Sequence, residues 1–123
     1  MAYLNVIEIE SALQSLATTY PALTELIASP HLTHEGRPKC PPPPQRTYRP
    51  RVGTQRNGEV DGVLILGGVH AREWVPPDAV VSLAADVLEA YQRGTGLGYN
   101  NKNFSANDIR SLLDSVNFFF FAC

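Results

Sequence analysis

The sequence predicts an α/β fold, a sheet with helices packed on its faces. Three observations carry this expectation. Two short runs of strand formers, Val63–Leu66 and Val116–Ala122, stand apart in the chain. Amphipathic stretches at helical spacing precede and separate them. No internal repeat suggests a solenoid instead.

The first element opens at Asn5, a helix N-cap with Glu8 three residues on to close a capping box. Val6, Ile9, Leu13, Leu16 and Tyr20 then form a helical stripe that needs a core, and Pro21 ends the helix or marks its restart. Leu23, Leu26 and Ile27 make a short apolar cluster before Ser29-Pro30. Between Gly36 and Gly58 lie Pro38, Pro41, Pro42, Pro43, Pro44 and Pro50, with six basic residues and no acid. Such a stretch has little to bury, so residues 38–56 read as an extended, mobile, basic loop.

Val63–Leu66 follows, an all-apolar run read as a strand buried on both faces. Pro76-Pro77-Asp78 opens a helix with proline early and an acid in the first turn. Val80, Leu83, Ala84, Val87, Leu88 and Tyr91 line one face of it, and Gly94 and Gly96 stop it. Ser105 and Asp108 form a second capping box, ahead of Ile109, Leu112 and Leu113 on one face of a short helix. Val116–Ala122, with four consecutive phenylalanines, reads as another buried strand. The two apolar runs are expected side by side in one sheet, with the Asp78–Tyr91 helix packed against it.

A length of 123 residues fits one domain or a piece of a larger one. A net charge of −2 gives no pull toward nucleic acid or anionic membrane, and no stretch is apolar enough to span a bilayer. The first residues lack the basic start and apolar core of a secretory signal, which implies a cytoplasmic protein if Met1 is the true start. Cys40 and Cys123 are too few for a disulfide-built scaffold.

The chemistry concentrates at His70 and Glu73, where the first apolar strand runs out through Gly67-Gly68 toward a helix. Ligands of open α/β sheets bind at such carboxyl ends of strands. Imidazole nitrogen and carboxylate oxygen are both zinc ligands, and a spacing of three in a tight turn brings both onto one ion. His-x-x-Glu alone is a weak motif, and its plain alternative is a surface histidine beside a glutamate. A catalytic zinc also needs a third protein ligand and an open position for water. The other histidines, His31 and His34, precede the pair in a loop and read as surface residues.

The string Gly67-Gly68-Val69-His70-Ala71-Arg72-Glu73-Trp74 closely resembles the zinc-binding signature of the carboxypeptidase A-like metallopeptidases. There a buried strand ends in Gly-(Gly/x)-(Ile/Val)-His-(Ala/Ser)-Arg-Glu-Trp and a helix follows. Tyr3-Leu4-Asn5 with the helix after it, Thr33-His34-Glu35-Gly36-Arg37-Pro38, and Leu112 to Phe118 also look like segments of that family's catalytic domain. The resemblance implies a partial, open mixed sheet flanked by helices, the N-terminal part of the zinc carboxypeptidase fold. It implies a zinc ion as cofactor, with His70 and Glu73 as its first two ligands. Arg72 matches an arginine near the family's substrate-binding cleft, and its alternative role is an ion pair that orients Glu73. The implied substrates are peptide or protein C-termini, hydrolysed by a zinc-activated water. The third zinc ligand, the general-base glutamate, the arginine that seats the substrate carboxylate and the specificity pocket lie later in the family than the position of Cys123. The chain 1–123 therefore reads as an incomplete catalytic domain, inactive alone, from a family with many secreted members.

The chain departs from the family over Lys39–Gln55, where relatives have an apolar strand, because a central strand does not tolerate so many prolines. Two rival readings follow. Pro41-Pro42-Pro43-Pro44-Gln45-Arg46 fits Pro-x-x-Pro-x-Arg, the pattern of a binding module presenting a polyproline helix to an SH3-type groove. A degenerate pseudoenzyme that keeps the fold is the other.

Overall fold

A computed structural model describes residues 2–28, 48–54, 60–70 and 72–122. The elements in chain order are α1 (Val6–Thr19), β1 (Thr24–Ala28), β2 (Tyr48–Val52), β3 (Gly62–Gly67), α2 (Val75–Arg93), β4 (Leu97–Tyr99), β5 (Lys102–Phe104), α3 (Ala106–Ser115) and β6 (Asn117–Ala122).

The helix ends follow local chemistry. Asn5 accepts from the Glu8 N–H at 3.0 Å while the Glu8 carboxylate accepts from the Asn5 N–H at 2.7 Å. Ser105 and Asp108 close the same reciprocal pair at the start of α3, at 3.1 and 2.8 Å. Two backbone donors are thereby satisfied at each start. The Ser105 bonds hold the Asp108 carboxyl below its ordinary value, because they favour its charged form. α2 ends at Gly94, whose left-handed backbone (φ 66°) lets its N–H turn back to Ala90 and Tyr91.

Four strands make one mixed sheet in the order β1-β2-β6-β3. β1 and β2 pair antiparallel, β2 and β6 antiparallel, and β3 and β6 parallel from Gly62–Asn117 to Gly67–Ala122. A parallel neighbour needs a crossover, and residues 68–116 supply it through α2, the β4–β5 hairpin and α3. The expected pairing of the two apolar runs is present, with α2 packed on both.

Ile9, Leu13, Val80, Ala84, Leu88, Ile109 and Leu113 share one buried core with Val52, Phe118 and Phe120. The three helices therefore lie on one face of the sheet. Strand alternation sends Leu64, Leu66, Phe119 and Phe121 to the other face. Burial within α1 is not wholly apolar. Glu10 is buried, which pushes its carboxyl above its ordinary value, and a 3.1 Å bond from Gln14 Nε2 partly offsets that. The hairpin is tied to α2 by Tyr99, whose hydroxyl donates to Asp86 at 2.8 Å; burial and this acceptor push its pKa up to about 12.

Two sequence expectations are corrected. Val63–Leu66 is not buried on both faces: β3 is the edge strand, and Val63, Leu64 and Leu66 are 41%, 61% and 51% exposed. The reason is that helices cover one face alone among the described residues, and β6 occupies the interior position. Tyr48–Val52, expected within the loop, is a strand inside the sheet. Val52 is wholly buried, Pro50 is buried opposite Leu26, and Arg51 pairs with Glu25 across the ladder. The ladder to β6 holds Arg51–Phe119 and Val52–Phe118 and stops short of Pro50, which has no N–H to donate. Residues 38–47, including Pro41–Arg46, and residues 55–56 lie outside the described residues, as do His31, His34 and Cys123. Among the described residues no helix is long and apolar enough to cross a membrane.

Candidate metal centre

Two glycines shape the exit from β3. A Cβ on Gly67 would stand 2.5 Å from the Pro76 carbonyl oxygen and 2.7 Å from Val80 Cγ2, so the bare backbone lets the first turn of α2 lie against the strand end. Gly68 has φ 81°, a left-handed conformation that glycine adopts without a steric cost. The chain then reverses, and the His70 carbonyl accepts from the Glu73 N–H at 3.1 Å. That bond closes a four-residue turn, whose end Cα atoms lie within about 7 Å. His70 and Glu73 thus spring from the two ends of one turn, at the carboxyl end of β3, and both are exposed.

Arg72 sits inside the same turn and is exposed. Trp74, 58% exposed, is the N-cap of α2 and makes no side-chain cap bond. Pro76 and Pro77 supply no N–H in the first turn. The start of α2 is held instead by a distant residue: the Leu4 N–H is shared between both Asp78 carboxylate oxygens, each at 3.2 Å. Sequence reading saw Asp78 only as a helix-opening acid, since nothing local points to a partner 74 positions away.

The donor chemistry of the turn suits zinc: one imidazole and one carboxylate, accessible and close together. The described residues bring together no group of three or more metal-ligating side chains.

Residues 9–123 match the family described as zinc carboxypeptidase. No curated protein sequence matches the chain. Among solved structures it is similar to thrombin activatable fibrinolysis inhibitor, at 21% identity and a TM-score of 0.68, over 98% of this chain and 25% of that one. It is also similar to bovine thrombin-activatable fibrinolysis inhibitor in complex with tick carboxypeptidase inhibitor, at 20% identity and a TM-score of 0.63, over 96% of this chain and 29% of that one. Identities this low bear on the fold alone, and the chain spans about a quarter of the length of these neighbours.

Proposed function

Because the chain belongs to the zinc carboxypeptidase family, we propose that it forms part of an enzyme that hydrolyses C-terminal residues from peptides, with His70 and Glu73 as two of the zinc ligands. The observation that carries this reading is the turn at the end of β3, which presents both side chains of the Gly67–Trp74 signature from one short loop. Zinc, when bound, polarises a carbonyl and lowers the pKa of its water. His70 contributes a neutral nitrogen donor and Glu73 an anionic oxygen donor. Arg72, exposed in the same turn, either seats an anionic group of the substrate or orients Glu73 by ion pairing. No described residue is assigned as general base.

The 123 residues alone should therefore bind zinc weakly and turn over no substrate. A missing general base alone costs about 10²–10⁴-fold. Zinc content after dialysis, for the native chain and for His70→Ala, tests the ligand assignment. Release of the last residue from blocked dipeptides, with added zinc and a chelator control, tests the activity. Tight zinc surviving His70→Ala would place the ligands elsewhere. Chelator-sensitive turnover lost in Glu73→Ala would show the site to be complete.

A further inference from the structure

We propose that Asp78 is a positioning residue, which fixes the loop carrying His70 and Glu73 by clamping the start of α2 to the backbone of Leu4. The inference rests on the metal role of that loop proposed above.

The loop from Gly68 to Trp74 hangs between two anchors, the end of β3 and the first turn of α2. Within it, one backbone bond joins His70 to Glu73, and that bond shapes the turn without fixing where it points. The anchor at β3 is secure, because Gly67 pairs with Ala122 in the sheet. The anchor at α2 lacks a local side-chain cap. Its N-cap, Trp74, gives no side-chain bond, and Pro76 and Pro77 bring no N–H.

Tertiary contacts take over. Pro76 and Val80 rest on Gly67, and Asp78 accepts the Leu4 N–H through both oxygens. Leu4 is itself well held. It packs on the core and directly precedes Asn5, whose capping box with Glu8 is closed on both sides. An anionic acceptor makes the bond to the Leu4 N–H stronger than a neutral one would be. Asp78 therefore transmits the fixed start of α1 to the start of α2, five residues after Glu73. Partners of metal ligands that set their orientation typically change metal affinity by about 10–100-fold when removed. Asp78 acts one step further out, so the low end of that range applies.

The test is a zinc titration of the 123-residue chain, read at the His70 ring signals by NMR, so that binding at His31 or His34 is not counted. Asp78→Ala should weaken zinc at His70 about tenfold. Asp78→Asn keeps an acceptor oxygen and should stay within about twofold of the native chain. Leu4→Pro removes the donor instead and should reproduce Asp78→Ala, with the double variant no weaker than either single one. Amide exchange over residues 72–74 should quicken in the variants that break the bond. If Asp78→Ala fails to fold, Leu4→Pro carries the same test. Native affinity in a folded Asp78→Ala would overturn the proposal. So would an Asp78→Asn as weak as Asp78→Ala, which would assign the effect to net charge beside the cation. Absence of any zinc response at His70 in the native chain would instead sink the metal reading itself.

Discussion

Phe120→Ala should destabilise the chain by about 3–5 kcal/mol, while the same change one residue earlier, at Phe119, should cost roughly 1–2 kcal/mol. The two residues are chemically identical neighbours in one strand, so the difference isolates the side of the sheet each faces. Phe120 is 2% exposed, stacks with Phe118 at a centroid separation of 6.2 Å, and joins the core beneath all three helices. Deleting its ring leaves a cavity between an interior strand of the sheet and the helices packed on it, where neighbours relax only partially. Phe119 lies half-buried over Gly62, on the face that carries no helix among the described residues, so its loss leaves a less enclosed gap. Urea midpoints for single alanine variants at 118 to 121 should alternate high, low, high, low in cost. Equal costs at 119 and 120 would mean that the face read as bare is packed.

Gly67→Ala should cost about 3 kcal/mol and also weaken zinc binding. The added methyl would meet backbone, the Pro76 carbonyl at 2.5 Å, together with Val80 Cγ2 at 2.7 Å. Neither can yield without lifting the first turn of α2 away from β3. That turn is the far anchor of the His70–Glu73 loop, so stability and metal affinity should fall together. Gly62→Ala is the control. Its Cβ would stand 2.9 Å from Phe119 Cε2, the tip of a ring that can swing toward solvent. The control should lose less than about 1 kcal/mol. A Gly67→Ala as mild as Gly62→Ala would show that α2 does not need its close approach to the strand.

The local devices of this fold were legible in the sequence. Both capping boxes and the glycine stop at Gly94 are set by side chains within a few residues of the backbone they satisfy. The pairing of β3 with β6 followed from two apolar runs that had only each other as strong partners. β2 was hidden, because Tyr48-Arg49-Pro50-Arg51-Val52 has the composition of a loop, and its strand character comes from β1 and β6 on either side. Which run becomes the edge is likewise a property of strand order, so the exposure of Leu64 could not be read from its neighbours. At the candidate site, His70, Arg72 and Glu73 were visible because they fall in one contiguous string. The Leu4–Asp78 bond was not, since it joins two helix starts through a backbone donor that carries no sequence signal.

The strand order also governs how the chain can be made. β6 leaves the ribosome after β2 and β3 yet lies between them, and β2 and β3 are not neighbours in the sheet. A nascent chain that has emerged only to Val116 therefore holds the β1–β2 pair and an unmatched β3, with no strand between them. Assembly of these four strands waits for β6 and runs through contacts between residues far apart in the chain, the kind of topology that folds slowly. Chains released after Val116 should show no cooperative melting by circular dichroism, however well α1 and α2 form their own turns. β6 joins these local structures into one sheet.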